Sequence, residues 1–119
     1  MKYLCLIYFD EANAQALPAG EMDALVEECH LFADELKASG RYIASAALGP
    51  ARTAATVRAR NGQLLVTDGP FTETKEQLGG YYLIEARDLN EAIQVAAKIP
   101  PGRFGSIEVR PLADRPEPA

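Results

Sequence analysis

The order of its segments constrains the fold of this 119-residue chain more than any other feature. Strand-like apolar runs at Lys2–Tyr8 and Tyr81–Ala86 each precede a helical segment, and a further strand-like run follows each helix, at Arg41–Leu48 and Ser106–Leu112. Right-handed crossovers place the strands of such β-α-β units in one sheet. The order therefore predicts an α+β fold, a ferredoxin-like βαββαβ sandwich with both helices on one face of an antiparallel sheet.

The two helices are predicted from apolar periodicity and from their ends. The first carries a stripe at three- and four-residue steps, formed by Met22, Leu25, Val26, Cys29, Ala33 and Leu36. It follows a polar connection at Asp10–Gly20, and Gly40 ends it as a left-handed cap. The second begins at Asp88 with Glu91 three residues later, and it turns Leu89, Ala92, Ile93 and Ala96 inward.

A β-hairpin is predicted between the two β-α-β units. The strand-like runs Ala55–Arg60 and Gln63–Thr67 flank Asn61-Gly62. An Asn-Gly pair favours a type I′ turn because both of its residues need positive φ. The hairpin is thus an insertion in the sandwich.

Composition limits the classes of protein to which the chain belongs. With 48% hydrophobic and 24% charged residues it is a single folded domain, predicted over residues 1–112 with a flexible tail at 113–119. A net charge of −5 with scattered basic residues argues against nucleic-acid binding. No apolar run reaches the ~20 residues of a membrane span, and the N-terminal run reads as a strand, not as a signal peptide. Cys5 and Cys29 suggest buried free thiols in the cytoplasm, although two cysteines also allow one bridge.

One face of the predicted sheet lacks a cover. Alternate residues of the runs KYLCLIY, YYLIEA and SIEVR point away from the helices, and several of them are large and apolar. Monomers seldom expose a patch of that size. The pattern predicts a homodimer through the sheet.

The stretch VTDGPFTETKEQLGG carries most of the candidate chemistry. Asp68 is either a turn carboxylate bonded to backbone N–H groups or a general base or ligand anchor. Thr72–Gln77 suits one helical turn with Thr72 as N-cap. Glu73 and Lys75 are then either solvated or face the same pocket as Asp68, where a Lys–Asp pair would suit an anionic or carbonyl-bearing ligand.

Three further residues are candidates. His30 lies at the boundary of the apolar stripe and is either structural or an acid–base catalyst, a role for which histidine is the usual choice. Tyr81 is a core ring or lends its hydroxyl to a ligand, and Arg103 is an exposed loop residue or an anion clamp. No cofactor is predicted, because phosphate-loop motifs and a metal-ligand cluster are missing from the sequence.

The string DGPFTETKEQLGGYYLIEA, with MKYLCLIY before it and GSIEVRP after it, resembles the DGPF group of YCII-related domain proteins over Met1–Leu112. The resemblance implies a ferredoxin-like dimeric α/β barrel without an established reaction. It also implies a cleft in which a His and an Asp meet, and a genetic association with extracytoplasmic-function sigma factors. Many relatives read His-Gly-Ser before the final strand, where this chain has Phe104-Gly105-Ser106. A mechanism that needs that histidine does not carry over.

Two functions are consistent with these observations. One is a dimeric small-molecule binder or enzyme that uses acid–base chemistry in a cleft near the stretch VTDGPFTETKEQLGG, here called the DGPF loop (residues 66–80). Asp68, Glu73, Lys75 and a tyrosine would line this cleft. The other is a non-catalytic regulatory module associated with a sigma factor.

Overall fold

The computed structural model describes residues 1–114, so the predicted tail lies outside the described residues from residue 115 onward. The described elements are β1 (Lys2–Phe9), α1 (Glu11–Gln15), α2 (Ala19–Ala38), β2 (Tyr42–Ala47), β3 (Ala55–Arg60), β4 (Gln63–Asp68), β5 (Gln77–Glu85), α3 (Leu89–Ala96) and β6 (Gly105–Pro111). Short 3₁₀ turns lie at Ala51–Thr53 and Pro100–Phe104. No helix in residues 1–114 is long and apolar enough to cross a membrane.

Four strands form one antiparallel sheet in the order β2-β5-β1-β6. In the central register, Cys5 of β1 lies opposite Tyr82 of β5 and Val109 of β6. Since β1 and β5 occupy the centre, β2 and β6 are the edges. The mixed α+β architecture is the predicted one, and the strand order is compatible with a ferredoxin-like sandwich.

The core lies between one face of this sheet and the helices. Tyr3, Cys5 and Ile7 alternate along β1 as buried residues, and Ile84 of β5 is fully buried. Phe32 and Leu36 of α2 close the core from above, as do Ala92, Val95 and Ala96 of α3. Phe32, which the predicted stripe omits, meets the Tyr82 ring edge-on at 5.4 Å between centroids. The intervening side chains of β1 and β5 therefore face the opposite side of the sheet.

The start of the helical layer differs from the prediction. The connection at Asp10–Gly20 contains the five-residue helix α1, because the Asp10 carboxylate caps it by accepting from the Ala12 N–H at 2.9 Å. The long helix α2 begins at Ala19, directly after Pro18. Its predicted end is confirmed, since Gly40 has a φ of +74°.

Helix α3 is capped as predicted but is rotated from the predicted orientation. The Asp88 carboxylate accepts from the Glu91 N–H at 2.9 Å, and the Glu91 carboxylate accepts from the Arg87 N–H at 3.2 Å. Leu89 and Ile93 were predicted to face inward, yet both are about half exposed. The correction follows from helix geometry. The buried face is centred on Ala92, Val95 and Ala96, and residues 89 and 93 lie on its flank.

The predicted hairpin forms a separate two-stranded sheet from β3 and β4, here called the hairpin arm (residues 55–68). The type I′ signal is confirmed, because Asn61 and Gly62 have φ values of 52° and 76°. All of its residues except Thr56 are exposed. The arm thus projects from the body of the protomer.

Candidate ligand cleft

A cleft of about 410 Å³ lies between the N-terminal half of α2 and the ends of β2 and β5. Small residues in the sheet explain why it exists. Ser45 to Ala47 of β2 and Gly79-Gly80 of β5 lie beneath the helix, so nothing in the sheet fills the space up to α2. The helix packs closely only in its C-terminal half, where Phe32 and Leu36 are buried. The volume is in the range of small-molecule sites.

Most of the wall is aliphatic or aromatic. The predicted stripe of α2 supplies much of it, but as a half-buried lining and not as closed core, and Val26 is 47% exposed. The apolar lining residues from the other elements include Ile7, Phe9, Leu17, Leu48, Pro101 and Phe104. Such a wall favours a ligand with a substantial apolar part.

Few polar side chains reach the cleft. His30 is exposed at its edge, and the Ser45 hydroxyl is hydrogen-bonded to the Tyr42 hydroxyl at 2.8 Å. The buried Tyr82 hydroxyl donates weakly to the Cys29 carbonyl at 3.5 Å. Burial raises the pKa of Tyr82 to about 12, so this hydroxyl stays protonated at neutral pH. Burial also raises the pKa of the free Cys29 thiol, which argues against a nucleophilic thiolate.

An ion pair joins the 3₁₀ turn at Pro100–Phe104 to α2. Arg103 donates to the Glu28 carboxylate at 2.6 Å and lies over the ring of Phe104, 5.5 Å from its centroid. Both partners are about half exposed, so the pair contributes at most about 1 kcal/mol. Its effect is to hold Phe104 as one wall of the cleft, whereas the guanidinium itself is engaged outside the lining.

The cleft brings together only part of the predicted site. His30 borders it and Arg103 lies beside it. Tyr81 adjoins it only through the strand β5, since the register places the Tyr81 side chain on the opposite face of the sheet. Asp68, Glu73 and Lys75 are exposed and do not line it. Their roles toward a ligand stay predictions.

The turn that contains Asp68 is held by other groups. The Gly69 N–H donates to the Ala54 carbonyl at 2.7 Å, and the Thr56 hydroxyl donates to the Gly69 carbonyl at 2.9 Å. Among the hydrogen bonds of residues 1–114, none involves the Asp68 carboxylate. The interpretation of Asp68 as the group that closes the turn is therefore wrong in this structure.

The end of the DGPF loop does not form the predicted helical turn, and its side chains bind other elements instead. Residues 72–76 are irregular, and Gln77 already belongs to β5. The Gln77 amide accepts from the Glu11 N–H at 2.9 Å and donates to the Thr74 carbonyl at 2.6 Å. Glu76 accepts from the Ser106 hydroxyl at 2.9 Å. Because these bonds reach α1 and β6, they replace the local bonds that a helical turn would use.

The Gly79-Gly80 pair is explained by packing. A Cβ on Gly79 would lie 2.2 Å from the Phe9 ring, and one on Gly80 would lie 2.8 Å from the Ala46 carbonyl oxygen. The same absence of side chains leaves the floor of the cleft open.

Sequence reasoning missed Ser45 and Phe104 as lining residues and did not select Tyr82 for the site. The sequence contains one local indication of a polar group at this site, a single serine in the alanine-rich strand YIASAA. Only the register, which places Ser45 opposite Tyr82, shows that the two share the helix-facing side of the sheet.

The sheet and the cleft together define an antiparallel α+β domain with an apolar site between helix and sheet. The model of the YCII-related domain family matches residues 1–115, and the chain belongs to this family, as its motif predicted. The chain is similar to the uncharacterized protein R00369 of Rhizobium meliloti (strain 1021). The two are 38% identical over 115 residues, which cover 95% of this chain and 93% of that protein.

Proposed function

We propose that the protein binds a small molecule with an apolar body and a polar group, and that the ligand lies in the cleft between α2 and the sheet. The observation that carries this proposal is a volume of about 410 Å³ with an apolar wall and a few polar groups at its edge. The polar group of the ligand faces His30, while its apolar part lies over Gly80 and against Phe104.

Acid–base chemistry is the reaction type that fits this site. His30 is the only histidine of the chain, and it is exposed at the edge of the cleft, in the position that an acid–base group needs to reach a bound ligand. The Tyr82 hydroxyl stays protonated but already donates its proton to the Cys29 carbonyl, so proton transfer falls to His30. The neutral thiol of Cys29 leaves no activated nucleophile in the cleft, so proton transfer is favoured over covalent catalysis.

A thermal-shift screen of amphipathic metabolites tests this proposal. A ligand at 100 times its Kd stabilises the folded state by about 2.7 kcal/mol, which is several degrees in Tm. Ala33→Leu fills the cleft from α2, so we expect it to abolish the shift. Asp68→Asn alters the exposed DGPF loop and tests that predicted site separately.

The two variants separate the two locations. A shift lost in Ala33→Leu and kept in Asp68→Asn places the ligand in the cleft. The reverse pattern would move the site to the DGPF loop. A third variant, His30→Gln, should keep binding but lose turnover if His30 is the acid–base group.

We further propose a homodimer that forms a dimeric α/β barrel in the cytoplasm. The support is the sheet face opposite the helices, where the half-buried Leu4, Leu6 and Tyr8 of β1 lie beside Tyr81 and Leu83 of β5 without a covering helix. Packing two such faces removes a continuous apolar patch from water. Leu6 is central, since it lies between Tyr81 and Glu108.

Leu6→Asp should therefore weaken the dimer strongly, because it replaces a central apolar side chain of this face with a second carboxylate next to Glu108. Sedimentation velocity measures the change, and Lys2→Asp at the exposed end of the same strand is the control. If Leu6→Asp associates as tightly as the natural chain, the sheet face is not the interface.

The alternative proposal is a non-catalytic regulatory module that contacts a sigma factor of the extracytoplasmic-function type. The position of Glu73 and Lys75, exposed and outside the cleft, is the observation that favours a surface role for the loop. Glu73→Lys combined with Lys75→Glu should then abolish binding to the purified sigma factor and leave ligand shifts in the cleft unchanged.

A further inference from the structure

The hairpin arm carries an apolar face that its own protomer leaves uncovered. The register places Val57 opposite Val66 and Ala59 opposite Leu64, so these four side chains share one face of the ribbon. Val57, Leu64 and Val66 are 59%, 69% and 63% exposed. Three large aliphatic side chains on one exposed ribbon face are typical of an interaction site. An isolated two-stranded hairpin is also at best marginally stable in water, so the arm gains stability when this face is covered.

The arm does not fold back on its own body. The radius of gyration is 16.3 Å, compared with about 13.5 Å for a compact chain of this length. The extents of 48 × 44 × 21 Å show a flattened, extended protomer. Within one protomer the apolar face stays uncovered, so only a second molecule can bury it.

The charges of the hairpin arm and of α2 indicate which molecule can cover the apolar face. Between Ala51 and Thr67 the chain has three arginines, Arg52, Arg58 and Arg60, and no acidic residue. Helix α2 has the opposite character, since its six acidic residues and one lysine give it a net charge of −5. A basic arm and an acidic helix within one sequence are complementary between two copies of the chain.

The acidic side chains of α2 form two rows. Asp23, Glu27 and Asp34 share one row with His30, at spacings of four, three and four residues. Lys37, one turn further along the same side, lies over the Tyr42 ring of β2, 4.9 Å from its centroid. This row therefore borders the cleft on the side of the edge strand β2, and it has no ion pair within residues 1–114.

The second row has one ion pair. Glu28 lies on the opposite flank of α2, where Arg103 binds it. On the β2 side of α2, the acidic row without ion pairs therefore lies next to the apolar opening of the cleft. The hairpin arm has the complementary features, an apolar face and arginine side chains.

We propose that the hairpin arm of one copy packs its apolar face over the cleft mouth of a second copy, with Arg58 and Arg60 beside the Asp23–Glu27 row, and that the two copies exchange arms reciprocally. A two-fold axis makes both contacts identical. The arginines lie on the other ribbon face, where the Arg58 guanidinium lies 5.0 Å from the ring centroid of Phe71 in its own protomer. The two strands of the ribbon are only about 5 Å apart, so in the dimer these long side chains turn around its edge toward the acidic row. The arm of the partner then forms the outer wall of each cleft.

This inference rests on the proposed homodimer and does not depend on catalysis. Complementary charge reversals test it. The arm variant carries Arg58→Glu and Arg60→Glu, and the helix variant carries Asp23→Lys and Glu27→Lys. Sedimentation velocity is run on each variant alone, on their equimolar mixture and on the natural chain, after circular dichroism has shown that each variant is folded.

Each variant alone should dimerise at least about tenfold more weakly than the natural chain, because its arm meets a helix of like charge. The mixture should restore dimerisation, since in a mixed dimer both arm–helix contacts pair opposite charges. Two reversed acidic residues bring the helix variant from −5 to −1 per chain. General repulsion therefore cannot account for a weakened helix variant.

Each result that contradicts the proposal has a different meaning. If both variants dimerise like the natural chain, the arm contact is wrong while the homodimer stands. If the mixture is no better than its parts, the arm does not bind α2 of the partner. A monomeric natural chain overturns both the homodimer and the arm exchange, and leaves the arm to a different protein.

Discussion

Ile84→Ala should lower the free energy of unfolding by about 2 to 5 kcal/mol, the range for a buried isoleucine truncated to alanine. Ile84 has no exposed surface. It lies in β5, opposite Tyr3 of β1 and Tyr42 of β2, so it occupies the middle of the sheet on the helix side. The truncation removes apolar burial and leaves a cavity between sheet and helices. Urea denaturation followed by circular dichroism measures the change.

Ile93→Ala is the matched control, since it removes the same atoms from a helix surface. Ile93 is 49% exposed, and alanine is the better helix former, so we expect a loss below about 1 kcal/mol. Equal losses at the two sites would mean that α3 buries Ile93, as the sequence pattern predicted, and would contradict the rotation of α3 described above.

Gly105→Ala should be at least as damaging, with an expected loss above about 3 kcal/mol or failure to fold. Gly105 begins β6 and pairs with Phe9. A Cβ at this position would lie 1.9 Å from the Tyr8 carbonyl oxygen and 2.8 Å from the Phe9 Cα. These are backbone atoms of the central strand, so the clash is relieved only by separating β6 from β1.

The loss at Gly105 also bears on the cleft, because Phe104 precedes it and forms one wall. Gly20→Ala in the first turn of α2 is the control. It meets no atom within 4 Å, and alanine favours the helix by about 0.5 to 1 kcal/mol. A Gly105→Ala protein with the Tm of the natural chain would refute the close approach of β1 and β6 at this point.

The DGPF loop contains residue types that are typical of functional sites, but several of them have structural roles in this protein. Glu76 and Gln77 resemble site residues in sequence, yet their side chains tie the loop to β6 and α1. Gly79 and Gly80 permit close packing and at the same time open the cleft floor. In the single protomer, therefore, the motif supports the cleft by fixing the loop and by leaving the cleft floor open, whereas Asp68 and Glu73 do not line the cleft.

Local interactions explain what the sequence determined by itself. The Asp88 cap of α3, the left-handed end of α2 at Gly40 and the positive φ values of Asn61 and Gly62 depend on residues within a few positions of one another. Strand and helix periodicity likewise determined the order of the elements and the α+β class, and a long motif identified the family before any geometry was known.

Tertiary structure decided the site. The cleft exists because small residues of β2 and β5, more than thirty positions apart, come to lie beneath the N-terminal half of α2. The rotation of α3, the burial of Phe32 and the separation of Asp68 from His30 depend on the same packing. Such features follow from which surfaces meet across the chain, and a periodic pattern, which reports only the faces of single elements, does not contain that information.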